Sequence, residues 1–350
     1  MTTRLTILCG LLAGVAGAVA VGLAGSPSRA TGLGDDYAEA QPICRKLGKP
    51  VLPLADRPTA AQRAALKGCD SEKLYYGEGM KPDYVRARLC AAIEAEGKEE
   101  EQPIFGGSTI LMQVYANGLG VKRNPDLATA YSCHIWAAPA EFDIRAEALQ
   151  ALKKKPEHID FCDSLTSGFA AGACAARESR IAAVPREAGI ARTVAGFPPA
   201  GRAAYPAMRK AFDAFVEASG FGEVDTSGTM RGVFITEARD ALNDQFAIDL
   251  GRLRTGKWPA ASTAEAADAD AKLNTTYRAM LDWAGKDADG SSITADDIRK
   301  TQRLWLVWRD AYLRFAAAAA PGMSRDAILA RLTRLRLAQF EKIRNGGEEG

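Results

Sequence analysis

The cysteines are confined to the first half of the chain, and this restricts how it can fold more than any other feature. Six lie between residues 44 and 174, namely Cys44, Cys69, Cys90, Cys133, Cys162 and Cys174, while the seventh, Cys9, lies near the N-terminus. An even number of cysteines in an exported chain predicts disulfides, with free buried thiols as the alternative. Spacing leaves the connectivity open, but the most local pair, Cys162 with Cys174, is expected to form one bridge.

The N-terminal segment is the basis for expecting export. Residues 5–25 are largely apolar, follow Arg4, and lead into the small polar stretch Ser26–Ala30. A positive residue, an apolar run and a small-residue exit are the parts of a secretory signal peptide, which predicts cleavage after Ala30 and a periplasmic or secreted protein without a membrane span. The run is also about long enough to cross a bilayer, so an uncleaved N-terminal membrane anchor stays open as the alternative.

Charge and motif content exclude several classes of function. The chain has 45 Lys and Arg against 43 Asp and Glu, so it has no bulk charge that would attract nucleic acid. Its sequence carries no zinc-protease, P-loop, nucleophile-elbow or dinucleotide-binding motif, so we assign no catalytic residue, metal ligand or cofactor. Residues 287–293 resemble a calcium loop, but Ser292 stands where that loop needs glycine, which favours a helix linker.

The first half contains an internal repeat. Each unit has the pattern of a helix, a Gly-x-Gly turn and a second helix starting at Pro-Asp, in keeping with the preference for Pro at helix starts and Gly at helix ends. The corresponding residues are Gly77, Gly79, Asp83 and Ala87 in the first unit and Gly118, Gly120, Asp126 and Ala130 in the second. Cys90 and Cys133 follow these alanines at the same distance, which predicts that each second helix is tied to a neighbour.

This pattern resembles the Sel1-like repeat, a relative of the tetratricopeptide repeat, over about residues 70–140. The resemblance implies an α/α solenoid whose concave face grips another protein. Two units are fewer than such a solenoid usually needs. A degenerate third unit near Ala137–Leu152 and the disulfides are expected to supply the missing stability.

The second half is predicted to be an antiparallel helical bundle, because amphipathic segments alternate with short turns. The segments are 203–219, 229–253, 264–284, 295–320 and 324–343, and Thr294 and Ser324 are N-cap residue types. The predicted fold class is therefore all-α. The predicted divisions are a signal peptide at 1–30, an extended lead-in at 31–65, a disulfide-bearing repeat domain at 66–180, a linker at 181–201 and the bundle at 202–345.

Three blocks within residues 265–345 carry a second resemblance. They are Asp270, Leu273, Asn274 and Tyr277; then Gln302, Arg303, Trp305, Trp308, Arg309 and Asp310; then Thr333 and Arg336. In this order the blocks resemble the lysozyme inhibitor LprI-like family, a helical module of exported bacterial proteins. The resemblance implies a protein partner in the cell envelope, such as a lysozyme-type muramidase.

The polar residues of these blocks admit two interpretations. Asn274, Gln302, Arg309 and Asp310 each lie within a helical turn of core-facing aromatics, so they either satisfy one another inside the bundle or form a binding surface. Arg309 is expected to bond to Asp270 or to Asp310 and so to fix the order of the helices. The two tryptophans are likewise either core residues or anchors for a partner.

Charge is uneven within the second half. Residues 299–344 hold 11 basic and three acidic residues, whereas residues 223–297 hold eight basic and 14 acidic residues. Either the acidic helices pack beside the basic ones, or the basic helices present a face to an anionic partner. Lysozymes are typically cationic, so only the acidic side is expected to attract one.

Two functions follow. In the first, the chain is a periplasmic binding protein whose LprI-like module blocks a muramidase or another cell-wall-active protein. In the second, it is a non-catalytic envelope adaptor that holds a partner through its Sel1-like repeats. An enzyme is the least favoured interpretation, since the motifs of catalysis are missing from the sequence.

Overall fold

The structure, a computed structural model, describes residues 40–97, 104–285 and 290–344. Within these ranges the chain forms helices and no strands, so the all-α prediction is confirmed. The predicted signal peptide and residues 287–289 of the calcium-like segment lie outside the described residues. In the described part of the chain, no helix combines the length and the apolar character that crossing a bilayer requires.

Seven α-helices precede residue 152 in the part of the chain that the structure describes. They are α1 (Ala40–Leu47), α2 (Ala60–Ala65), α3 (Ser71–Tyr76), α4 (Tyr84–Glu94), α5 (Gly107–Asn117), α6 (Pro125–Ser132) and α7 (Pro139–Ala151). The pairs α3–α4 and α5–α6 are the two predicted repeat units. Helices α3 and α5 end at Gly77 and Gly118, which both adopt the left-handed conformation that favours glycine, with φ of 76° and 69°.

The second helices of the two units start in a register that differs from the predicted one. The side chain of Asp83 caps α4, but the equivalent cap of α6 is Asn124, not Asp126. The backbone amides of Asp83 and Asn124 donate equivalent 2.9 Å hydrogen bonds to the carbonyl oxygens of Leu74 and Tyr115. The sequence comparison matched the Pro-Asp pairs, yet the N-cap side chain decides where a helix begins. Cys90 and Cys133 are therefore not equivalent positions.

All six described cysteines are paired. The bridges are Cys44–Cys133, Cys69–Cys90 and Cys162–Cys174, with Cα–Cα distances of 5.8, 6.1 and 6.1 Å. The predicted local pair is thus present. The bridge at Cys133 ties α6 to α1, and the bridge at Cys90 ties α4 to the turn before α3, so each second helix is indeed tied to a neighbour.

The predicted extended lead-in at 31–65 is wrong for much of its described part, because α1, α2 and a 3-10 turn at Leu54–Asp56 lie within it. Polar contacts hold this segment against the repeats. Asp56 accepts hydrogen bonds from Arg88 Nη1 at 2.9 Å and from the Tyr115 hydroxyl at 2.8 Å. Its several prolines disfavoured a helix in the sequence, but Pro42 lies in the first turn of α1, and Pro50, Pro53 and Pro58 lie outside α1 and α2.

Six α-helices follow among the described residues from 168 onward. They are α8 (Gly168–Ala195), α9 (Pro199–Gly222), α10 (Arg231–Thr255), α11 (Thr263–Gly285), α12 (Ala295–Ala319) and α13 (Arg325–Arg344). The five predicted bundle segments correspond to α9–α13. Thr294 and Ser324 cap α12 and α13 by accepting amide hydrogen bonds of 3.1 and 3.3 Å, as predicted.

Helices α9 and α12 pack side by side and run in opposite directions. Gly201, near the start of α9, packs against Ala319 at the end of α12, while Thr301, near the start of α12, donates to the carbonyl of Ala218. One face of the amphipathic helix α12 lies in the core, where it buries Ile298, Thr301, Trp305, Trp308, Tyr312 and Phe315.

Helix α8 occupies most of the segment predicted as a linker at 181–201, so a loose linker there is wrong. Pro185 lies inside the helix. Ion pairs hold α8 to both halves: Arg180 reaches Glu72 of α3 at 2.6 Å, and Arg186 reaches Asp240 of α10 at 2.9 Å. These long-range partners stabilise a helix that local sequence does not predict.

The described residues form two large apolar cores, one in each half. Cys174 belongs to the first core and Ile190 to the second. Both residues lie on α8, so this helix is shared by the two cores. The domain boundaries predicted from the sequence remain a prediction.

Candidate functional site

The last three helices form a compact unit, which we call the C-terminal module. Helices α11 and α13 lie side by side and run in the same direction. Thr263 donates a 2.5 Å hydrogen bond to Asp326 at their starts, and the rings of Tyr277 and Phe340 lie 6.1 Å apart further along. Helix α12 runs opposite to both and joins α13 through a short turn.

A buried ion pair fastens this module to the end of α9. Arg336 of α13 is fully buried, and its guanidinium binds both carboxylate oxygens of Glu223, one of them at 2.7 Å. Its Nε donates to Gln302 of α12 at 2.9 Å, and Ser219 donates to Glu223 at 3.0 Å. The guanidinium also lies 4.1 Å from the centre of the Phe340 ring. Two of the predicted motif residues therefore position three helices.

Other motif residues belong to the interior of the bundle. Leu273, Trp305, Trp308 and Thr333 are buried, and Tyr277 packs against the same core. Trp308 stacks on Phe215 of α9 with 5.4 Å between ring centres. Both tryptophans are thus core residues rather than exposed anchors.

A third group of motif residues lies at the surface. Asn274 is exposed and donates a 3.0 Å hydrogen bond to Asp270 within α11. Arg303 is exposed on α12. Arg309 pairs with its neighbour Asp310 at 2.9 Å and lies 5.5 Å from the ring centre of Trp305. Of the two predicted partners of Arg309, Asp310 is therefore the one it contacts.

Two buried acids that complete these contacts were missed by the sequence analysis. Glu223 lies outside the motif blocks, and Asp249 of α10 accepts from Arg331 of α13 at 3.1 Å. Both residues are nearly fully buried. The acidic composition of residues 223–297 was the only signal, and it did not single out either residue.

A groove lies between α12 and α13 close to the turn that joins them. We call it the α12–α13 groove; it encloses about 490 Å³ and is lined by Arg309, Asp310, Leu313, Arg314, Ala317, Met323, Arg325 and Ile328. Arginines form much of its rim, and apolar side chains form its floor. Among the described residues, Arg314 and Arg325 have no carboxylate within ion-pair distance.

A second, smaller depression lies between α11 and α13. It encloses about 320 Å³ and is lined by Ala271, Lys272, Thr275, Thr276, Leu337 and Glu341. Its one lysine, Lys272, is paired with Asp268 at 2.8 Å. The depression therefore offers a partner less unbalanced charge than the α12–α13 groove does.

The two interpretations of the basic helices each account for part of their charge. On α13, Arg331, Arg334 and Arg336 reach acids of the preceding helices or of the end of α9, at Asp249, Glu265 and Glu223. Packing of basic against acidic helices explains these three. The remaining exposed cations of α12 and α13 are available to a partner, and they include Lys300, Arg303, Arg314, Arg325 and Lys342.

In the first half, the face of α3 and α5 is covered by the chain itself. The covering segment is 158–180, which contains a 3-10 turn at Phe161–Ser164 and the start of α8. Gln113 of α5 accepts from the amide of Phe161 at 3.0 Å, and the guanidinium of Arg177 lies 4.1 Å from the ring centre of Tyr76. The Cys162–Cys174 bridge closes this segment on itself.

Comparison with known proteins finds a similarity in the C-terminal module. Residues 255–340 match the model of one family, described as Lysozyme inhibitor LprI. The match spans α11, α12 and most of α13, so this part of the chain is LprI-like, as the motif blocks predicted. No curated protein and no solved structure gives a significant match to the chain. The Sel1-like character of the first half remains a prediction.

Proposed function

We propose that this is an exported protein inhibitor, whose C-terminal module binds and blocks a muramidase or another cell-wall-active protein. The observation that carries the proposal is the match of residues 255–340 to the lysozyme-inhibitor family. The buried contacts of Arg336 support it, because a binding surface is more effective when its supporting side chains are locked in place. The polar motif residues thus divide into a buried supporting set and an exposed set on the surface.

The cysteine pairing supports an extracytoplasmic location. Three disulfides persist only in an oxidising compartment, such as the periplasm or the exterior. We therefore place the protein in the periplasm or outside the cell, delivered by the N-terminal leader.

The alternative, an adaptor that grips its partner through the Sel1-like repeats, is less well supported. The face of α3 and α5 that such a partner would occupy is covered by residues 158–180. Arg180 alone makes two ion pairs there, with Glu72 at 2.6 Å and Glu78 at 3.1 Å. A partner on this face would have to displace the chain's own segment.

The test is a muramidase assay with the purified protein from residue 31 onward. Peptidoglycan lysis by a lysozyme is followed as loss of turbidity while the protein is titrated, and we expect saturable inhibition near equimolar ratio. Cytochrome c is a basic protein without a glycosidase cleft. Added as a competitor, it controls for binding by charge alone. Undiminished lysis at micromolar concentrations of the protein would refute the inhibitor proposal. A repeat-only fragment that captures an envelope partner would favour the adaptor.

A further inference from the structure

The α12–α13 groove combines two kinds of surface that suit a single type of ligand. Its floor is apolar, formed by Leu313, Ala317, Met323 and Ile328, and its rim carries three arginines. One acid, Asp310, lies on the rim and is paired with Arg309. The groove is therefore left with two uncompensated guanidinium groups, Arg314 and Arg325, above an apolar surface.

One wall of the groove carries a guanidinium group, that of Arg309, with two contacts inside the chain. The guanidinium of Arg309 is held on one side by Asp310, which accepts from Nε at 3.0 Å, and on the other by the Trp305 ring. Trp305 itself is buried in the bundle. These three residues belong to the motif block shared with the LprI-like family, so the family motif supports this wall. Fixed guanidinium groups lose less rotational freedom on binding than mobile ones do.

Guanidinium groups recognise carboxylates through paired, charge-assisted hydrogen bonds. An apolar floor of this size accommodates one or two side chains of a bound segment. We propose that the α12–α13 groove binds an acidic, partly apolar segment of a protein partner, with carboxylates on Arg314 and Arg325. The identity of the partner as a muramidase rests on the function proposed above. The acidic character of the bound segment follows from the groove alone.

This proposal also resolves the charge argument from the sequence. A muramidase is expected to be cationic overall, which disfavours a basic binding surface. The site that cleaves the glycan nevertheless depends on a pair of carboxyl groups. A basic groove is therefore matched to an acidic segment at the edge of such a cleft rather than to the cationic outer surface of the enzyme.

An anionic membrane is the less favoured ligand for the same groove. Helices that lie on a membrane insert large apolar side chains between the lipids. Among the described residues of α12 and α13, Val307 is the one large hydrophobic side chain that is markedly exposed, at 55%. Of the apolar residues of the groove, Ile328 is buried, Leu313 and Met323 are half-buried, and the exposed Ala317 is small.

The test uses two double variants with the same change in net charge. The groove variant, Arg314→Glu with Arg325→Glu, reverses the charge of two groove residues. The control variant, Lys300→Glu with Lys342→Glu, reverses the charge of two exposed residues at the other end of the same two helices. Circular dichroism checks that both variants keep the fold. Each protein is titrated with a fluorescein-labelled peptide of alternating Glu and Leu, and fluorescence anisotropy gives Kd.

We expect the wild type to bind the peptide, the groove variant to bind about tenfold more weakly or worse, and the control to change by less than about threefold. Equal weakening in both variants, or no binding by the wild type, would overturn the groove proposal. A lipid site would replace the groove proposal if the wild type bound phosphatidylglycerol vesicles but not the peptide, and if the groove variant no longer bound the vesicles.

The same variants in the turbidity assay separate the groove from the proposed function. Inhibition that is lost only in the groove variant supports both proposals. Inhibition that persists in that variant would refute the muramidase cleft as the partner of the groove and leave the inhibitor function intact. Peptide binding as expected, without inhibition by the wild type, would refute the inhibitor function alone.

Discussion

Arg336 shows how a motif residue serves the module without facing a partner. Its guanidinium reaches Glu223, Gln302 and the Phe340 ring from a fully buried position. A buried charge is tolerated only when its partners compensate for the loss of hydration. The contacts of Arg336 join α9, α12 and α13, so the position of α13 depends on one side chain.

Replacing Arg336 is therefore expected to destabilise the bundle strongly. Arg336→Leu leaves the carboxylate of Glu223 buried without a counter-charge, and we expect the free energy of unfolding to fall by about 3–5 kcal/mol. Urea denaturation followed by tryptophan fluorescence measures this loss, since Trp305 and Trp308 lie in the same core.

Arg334→Leu is the matched control on the same helix. Its ion pair with Glu265 is 3.7 Å long, and both side chains are about half exposed. Exposed pairs contribute less than about 1 kcal/mol, so this variant should stay close to the wild type. Similar losses in the two variants would mean that the buried pair does not hold the module together.

Single residues were predicted unevenly from the sequence. The motif blocks singled out Arg336 and Gln302, and both proved to be buried partners of each other. Their acidic partner, Glu223, was not found, because it lies outside the blocks and nothing in an acidic segment marks the one carboxylate that is buried. The choice between Asp270 and Asp310 for Arg309 also needed the structure, because either spacing allows a contact.

At the scale of elements, the contact between α8 and α10 depends on glycine. A Cβ atom at Gly168 would lie 2.1 Å from the carbonyl oxygen of Thr229, and one at Gly172 would lie 3.3 Å from the Cα of Gly232. The absent side chains let the two helices approach closely where the repeats meet the bundle.

Gly168→Ala is therefore expected to cost about 1–3 kcal/mol of stability, because a backbone carbonyl must move to admit the methyl group. Gly189→Ala, on the same helix, is the control. A Cβ there meets only the flexible end of Arg192 at 3.8 Å, so alanine should stabilise the helix by up to about 1 kcal/mol. Opposite shifts in the denaturation midpoint are expected, and a stabilising effect of both substitutions would argue against the close approach.

Elements with strong apolar periodicity were predicted well, and those without it were not. The five bundle helices came within four residues of their observed ends. The linker predicted at 181–201 followed from the Gly/Pro-rich break at 196–201, but α8 runs through most of it. Contacts remote in sequence stabilise α8, both its packing in the two cores and its ion pairs with α3 and α10. The predicted start of α6 was wrong for a different reason. The two repeat units were matched at their Pro-Asp pairs, whereas the residue that caps α6 is Asn124.

At the scale of the whole molecule, covalent and non-covalent stabilisation are divided between the halves. All three described bridges involve residues up to Cys174, and the core of α9–α13 is held by aromatic packing and ion pairs. In the chain-entropy description, each bridge restricts the unfolded state by about 3–5 kcal/mol, most for the longest loop.

Reduction is therefore expected to affect the halves differently. Hydrogen exchange, measured by mass spectrometry with and without dithiothreitol, should show loss of protection in α1–α7 and retention in α9–α13. Mild urea in both arms gives the reductant access to the buried bridge at Cys90. Equal loss in the two halves would show that they unfold as one unit, with α8 coupling them more tightly than the cores alone suggest.

The position of α8 also bears on how a nascent chain acquires this fold. An exported chain enters the oxidising compartment from its N-terminus, and domains commonly fold as they emerge. The last cysteine, Cys174, emerges before any of α9–α13, so no later thiol can compete for the three bridges. Gly168 and Gly172 of α8 lack their packing partners until residues 229–232 have emerged. We expect the oxidised first half to serve as the template on which the bundle is then assembled.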